Sequence, residues 1–103
     1  MINIITYNLK AKERDYSQLY AGIKSISKRW WRFVDSVWII DTDRRPTSIK
    51  QILLPYIHSK DELFVGLIED CSGYLPIESI NWLENDLNDV ESKEFTFKCR
   101  PDK

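Results

Sequence analysis

The sequence is poor in residues that break regular structure and in residues that do redox or metal chemistry. Its 103 residues include three Gly, four Pro, two Cys, one Met and one His. So little Gly and Pro excludes a collagen-like or low-complexity chain. Cys71 and Cys99 stand far apart, with no CxxC and no metal-spaced Cys/His set. They are expected to be reduced thiols of a cytoplasmic protein, with one disulfide between them as the alternative. There is no Gly-rich phosphate loop and no internal repeat. No apolar run approaches the roughly 18 residues of a membrane-spanning helix. Met1–Tyr7 lacks a basic leader and a small-residue cleavage site, so no signal peptide is expected.

What is present is globular. Hydrophobic residues make up 43% and aromatic residues 13%, too rich for disorder. The length suits one domain, 1–103. The net charge of −1 hides an asymmetry. Residues 1–60 carry eleven basic and five acidic side chains, a net +6; residues 61–103 carry four and eleven, a net −7. A chain basic throughout is excluded, but a basic half is a partner signal.

Ile2, Ile4, Ile5, Tyr7 and Leu9 form a short β-branched segment ending in the polar run Lys10–Arg14, which predicts a strand. Asp15, with Gln18 three residues on, has the form of a capping box. Tyr16, Leu19, Tyr20, Ile23 and Ile26 follow at helical spacing. Trp30–Asp41 has no Gly or Pro, and Asp35-Ser36 is its only polar break. This predicts a hairpin, Trp30–Val34 and Val37–Asp41, with Phe33 facing Trp38, Trp31 facing Ile40 and Arg32 facing Ile39. Pro46 or Thr47 opens a second helix, with Ile49, Ile52, Leu53 and Tyr56 on its buried face, and Pro55 kinks or ends it. Leu63–Ile68 predicts a strand, Cys71–Pro76 a loop, Pro76–Leu87 a third helix and Glu94–Cys99 a last strand.

The order β-α-β-β-α-β, then α-β, predicts an α+β fold: a ferredoxin-like antiparallel sheet over residues 1–70 with a C-terminal helix and strand extension over 71–103. Strands one, three and four are apolar on both sides, whereas a sheet with one wet face alternates. The second face must therefore be covered, by the C-terminal segment or by another subunit. A two-fold homodimer through the sheets is expected. Whether residues 94–99 pair within their own chain or across the dimer stays open.

These segments carry a resemblance. Ile4-Ile5-Thr6-Tyr7-Asn8-Leu9, Asp15-Tyr16, Trp30-Trp31-x-Phe33-Val34-Asp35-Ser36-Val37-Trp38-Ile39-Ile40, Ile52-Leu53-Leu54-Pro55, Asp61-Glu62-Leu63 and Trp82-Leu83 resemble the small bacterial proteins labelled SinR-family. Those are similar in turn to the second CRISPR adaptation protein and to the virulence-associated protein D ribonucleases. The resemblance covers roughly residues 1–87 and implies the fold and dimerisation. For function it implies either a metal-dependent nuclease using Mg2+ or Mn2+, or a non-catalytic dimer that holds DNA by its backbone. The relatives' metal-binding acid follows a Tyr at the end of strand one; here that pair is Tyr7-Asn8. A neutral amide brings no charge to a hard cation, so the expectation leans away from an enzyme and names no resident cofactor.

Asp41, Asp43, Glu69 and Asp70 end strands three and four at one end of the sheet, and Asn8 lies at the other with the Asp35-Ser36 turn. The four acids are read as solvated strand ends, with a metal or acid–base cluster as the alternative. His58 and Asp61 are the nearest candidates for a general base in metal-free ribonuclease chemistry. Lys24, Lys28, Arg29, Arg32, Arg44, Arg45 and Lys50 face only Asp35, Asp41 and Asp43 within residues 24–50, a net +4. Trp30 and Trp31 are interleaved among them, which suits backbone contact and base stacking. Trp31 and Trp38 are expected in the core, and Trp30 and Arg32 at an interface. The expected function is a non-catalytic homodimeric module binding a nucleic-acid backbone or nucleotide-like ligand through Lys24, Lys28, Arg29, Arg32, Arg44, Arg45 and Trp30. A nuclease using Asn8, Asp41 and Asp43 is the first alternative. The second is a protein-interaction component of a defence or toxin–antitoxin system, with the acidic Glu84–Glu94 segment meeting a basic partner.

Overall fold

A computed structural model describes residues 1–11, 15–74 and 94–98, the last five by backbone alone. The chain divides into two compact units, Met1–Leu67 and Ile68–Lys103. The first holds β1 (Ile2–Asn8), α1 (Ser17–Ser25), β2 (Arg29–Val34), β3 (Val37–Asp41), α2 (Pro46–Leu53), a 3-10 turn (Leu54–Tyr56) and most of β4 (Glu62–Ile68). The sheet is antiparallel in the order β2-β3-β1-β4, a small α+β arrangement compatible with a ferredoxin-like fold.

The register of β1 and β3 sets the core. Ile5 lies opposite Trp38 and Asn3 opposite Ile40, so Asn3, Ile5 and Tyr7 share one face with Trp38 and Ile40. Leu19 and Ile23 of α1 and Ile49 and Leu53 of α2 pack on that face and are fully buried. Each such aliphatic side chain contributes about 1.5–3 kcal/mol by leaving water. The helices approach closely at Gly22, where an added Cβ would lie 3.3 Å from Leu53 Cδ2 and 3.3 Å from the Tyr56 ring. Pro46 opens α2, where its missing N–H costs nothing, and the helix ends at Leu53, two residues before Pro55.

Three expectations need correction. The capping box at Asp15 and Gln18 does not form: α1 begins at Ser17 with Tyr16 as its N-cap residue. The Asp15 carboxylate instead accepts from the Ser17 N–H at 2.9 Å, a local turn that leads into the first helical residue. The hairpin register also differs. Asp35-Ser36 is the turn and Val34 pairs with Val37, but Arg32 lies opposite Trp38, Trp31 opposite Ile39 and Trp30 opposite Ile40. An irregularity between Arg32 and Val34 leaves Phe33 as an extra residue, and one extra residue exchanges the two faces beyond it. Trp30 and Arg32 therefore join the helix-covered face, and Trp31 the outward one. Finally, Asp70–Tyr74 is a strand, β5, rather than part of a loop. It pairs antiparallel with β6 (Glu94–Lys98) of its own chain, Cys71 lying opposite Phe97, and that pairing supplies the backbone partners a loop would lack. The expected third helix, Pro76–Leu87, and most of the acidic Glu84–Glu94 segment lie outside the described residues.

Candidate nucleic-acid interface

The basic side chains divide into two groups. The first sits where α1 hands over to β2 and β3 to α2. Ser27 Oγ donates to Ile23 O at 2.6 Å, Ser25 Oγ to Gly22 O at 2.8 Å and Thr42 Oγ1 to Ile26 O at 2.8 Å, so three hydroxyls satisfy carbonyls at the end of α1. Thr42 Oγ1 also accepts from the Arg44 N–H at 3.2 Å, which fixes the start of the β3–α2 loop. An open depression of about 460 Å³ results, lined by Ser25, Ile26, Ser27, Lys28, Thr42, Asp43 and Arg44. Lys28 and Arg44 thus come together as the sequence suggests.

The acids at this end are already engaged. Lys28 Nζ lies 3.1 Å from Asp43 Oδ1, and Arg29 Nε 3.5 Å from Asp41 Oδ2. The Met1 ammonium is 3.4 Å from Asp41 Oδ1. Glu69 and Asp70, expected beside them, fall in the second unit. Among the described residues no group of three or more His, Cys, Asp or Glu side chains converges. Arg44 and Arg45 are exposed and form no ion pair among the described residues; Arg44 Nη1 donates to Ser48 Oγ at 3.4 Å. Arg45 is the N-cap residue of α2, no side chain caps that helix, and its first turn holds no acid. The Arg44 guanidinium therefore lies on the first turn of α2, where backbone N–H groups and the helix dipole favour an anion. Lys50 lies exposed in the last turn of the same helix.

The second group belongs to the aromatic side chains under β2. The Arg32 guanidinium lies 4.3 Å from the Tyr20 ring centre and 5.1 Å from that of Trp38. Its Nε and Nη2 donate to Asp35 O at 3.1 and 2.9 Å. Tyr7 Oη donates to the same carbonyl at 2.7 Å and accepts from Trp38 Nε1 at 2.9 Å. Burial raises the Tyr7 pKa, against the opposing pull of Trp38 Nε1–H and the Arg32 charge, so the hydroxyl stays a donor. Lys24 Nζ sits 4.6 Å over the Trp30 ring, whose centre is 5.3 Å from that of Trp38. Trp30 is 42% exposed, but it has Lys24 and Trp38 as ring neighbours. Trp38 is fully buried as expected, whereas Trp31 stands outside the core and packs against Phe33 at 5.1 Å.

At the opposite end, Asn8 Nδ2 donates to Glu62 Oε1 at 3.1 Å, and Lys10 Nζ is 3.9 Å from Glu62 Oε2. Beside them the Asp61 carboxylate accepts from Lys10 N–H and Tyr16 O–H at 2.7 Å each and from His58 N–H at 2.8 Å. Burial disfavours its charge, but these three donors outweigh burial and hold its pKa below the ordinary value. A carboxylate so occupied is a poor general base. His58 is exposed, and its Nδ1 accepts from the Lys60 N–H at 3.2 Å. The sequence marked Asp61 but missed Tyr7 and Tyr20. Their apolar helical and strand spacing reads as core, and nothing in it shows where a hydroxyl or ring face is aimed.

No protein-family model, curated protein or solved structure matches this chain. Among the described residues no helix is long and apolar enough to cross a membrane.

Proposed function

We propose that this chain is a non-catalytic, homodimeric, cytoplasmic module of ferredoxin-like topology that binds a nucleic-acid backbone through its basic end. The observation that carries the reading is the pair Arg44 and Arg45. Both are exposed, neither forms an ion pair among the described residues, and both stand at the uncapped start of α2, Arg44 sharing the depression with Lys28. Guanidinium groups at a helix N-terminus suit phosphate oxygens and read no base identity. The resemblance to the second CRISPR adaptation protein, which holds DNA by its backbone, supports the same class. The engagement of Asp41 and Asp43 by cations, and of Asn8 by Glu62, favours binding over hydrolysis.

The geometry sorts the expected contact residues. Arg44 and Arg45 form the contact; Lys28 and Arg29 balance Asp43 and Asp41 beside it; Arg32, Lys24 and Trp30 act within the fold. A mobility shift at low salt with a short duplex and a single strand tests this. Binding is expected for the native chain and for Arg32→Met, and a loss of tenfold or more for the Arg44→Glu/Arg45→Glu double variant. Equal binding by the double variant overturns the assignment.

A further inference from the structure

We infer that the outward face of the four-stranded sheet is a platform on which the unpaired bases of a single-stranded nucleic acid stack. The inference rests on the backbone contact proposed at Arg44 and Arg45 and names the class of strand which that contact serves. Stacking falls to rings other than Trp30, whose ring already neighbours Lys24 and Trp38. Trp31 lies opposite Ile39, and Ile39 opposite Ile4. A Cβ added at Gly66 would sit 3.6 Å from Ile4 Cγ2. These four residues form one row across all four strands, on the side away from the helices. Aromatic rings stand at both ends of the row. On β2, Trp31 packs against Phe33 with ring centres 5.1 Å apart and a tilt of 57°, a contact that holds both rings in place. On β4, the Phe64 ring leans over Gly66, where an added Cβ would lie 3.4 Å from its Cε2. Glycine leaves that ring room to settle beside Ile4. Phe64 is nevertheless 65% exposed and Phe33 42%, large apolar surfaces for so small a sheet.

Spacing and charge select the occupant. The outer strands β2 and β4 are three strand spacings apart, roughly 14 Å. Stacked bases rise by only about 3.4 Å along a strand, and in a duplex they cover one another's faces. A splayed single strand presents bare base faces, and exposed aromatics on an open sheet take such bases by stacking, whatever the sequence. Ile39 and Ile4 supply an uncharged floor between the rings. The carboxylates that alternation places on this face are engaged, Asp41 by Arg29 at 3.5 Å and Glu62 by Lys10 at 3.9 Å. The rim is thus balanced, with both of these acids neutralised where a phosphate would pass. Its Asp41 end continues into the basic end, because Arg29 follows Lys28 and the β3–α2 loop leads from Asp41 to Arg44 and Arg45. A strand held by its phosphates at Arg44 and Arg45 therefore enters the face at Arg29 and meets Trp31 next.

Fluorescence anisotropy at low salt with two labelled strands of about ten nucleotides tests the proposal: oligo(dT), and an abasic strand with the same number of phosphates. The native chain is expected to bind oligo(dT) at least tenfold more tightly than the abasic strand. Oligo(U) is expected to show the same preference over the abasic strand, since a ring face does not read the 2′-hydroxyl. Phe64→Leu keeps an apolar side chain but removes the π-face. At so exposed a position it is expected to keep the native circular dichroism and melting temperature. It should lose at least fivefold in affinity for oligo(dT) and nothing for the abasic strand, whereas Phe64→Tyr binds both as the native chain does. Arg44→Glu/Arg45→Glu is expected to weaken both strands and keep their ratio. Equal native affinity for oligo(dT) and the abasic strand overturns the proposal and leaves the backbone contact standing. A preference for oligo(dT) that survives Phe64→Leu undiminished also overturns it, because an apolar surface then suffices. Failure to bind either strand removes the backbone reading together with this one.

Discussion

At the residue scale, similar side chains do different work according to where the backbone sets them. Arg32 and Arg45 read alike in the sequence. Arg32 closes the β2–β3 turn by donating to Asp35 O and lies over Tyr20 and Trp38, whereas Arg45 stands in solvent at the start of α2. Arg32→Met is therefore expected to cost about 1–2 kcal/mol of stability, and Arg45→Met less than about 0.5 kcal/mol, both by urea unfolding. Equal costs for the two contradict that placement. Asp61 ties three segments together through Lys10, Tyr16 and His58. Asp61→Asn turns an amide donor towards existing donors and is expected to cost about 1–3 kcal/mol at pH 7. Because the folded pKa of Asp61 lies below its ordinary 3.8, folding favours the ionised form. Its contribution is complete above about pH 5 and fades as pH falls through 3.8 towards the folded value. The stability gap between the native chain and Asp61→Asn should narrow on acidification; a gap that widens contradicts the assignment.

At the element scale, strands and helices were readable wherever one period dominated. The 3.6-residue spacing of Leu19 and Ile23, and of Ile49 and Leu53, marked both helices and their buried faces. Trp30–Asp41 declared a hairpin through its lack of Gly and Pro, and the turn lies at Asp35-Ser36. The register was not readable, because β3 is apolar on both sides and β2 carries an arginine and a tryptophan on each, so no polar alternation records the extra residue at Phe33. Alternation read through the bulge assigned Trp31 to the core and Arg32 to an open face, and the structure reverses both. The site was half readable: the basic cluster stood out, but not which cations were already spent on Asp41, Asp43 or an aromatic ring. The bulge account makes a specific prediction. Deleting Phe33 leaves Val34 opposite Val37 and Arg32 opposite Trp38, so the fold and the Arg32–Tyr20 contact should survive. Side-chain NMR contacts between these two residues would report it; a chain in which Trp31 replaces Trp30 beside Trp38 contradicts the register.

At the scale of the whole molecule, the two surfaces of the sheet unit have different chemistry. The outward face is apolar with a balanced rim. The end bearing the β3–α2 loop holds Arg44 and Arg45 with no ion pair among the described residues. A net charge of −1 thus coexists with a local basic end, because the acids are concentrated in residues 61–103. Fluorescence anisotropy of a short labelled duplex across a salt series tests the binding claim most directly. Binding should weaken with salt along a straight line in log–log form, with a slope of about −2, reduced by about one for each of Arg44→Glu and Arg45→Glu. No binding at about 25 mM salt, or a slope unchanged by both substitutions, would contradict it.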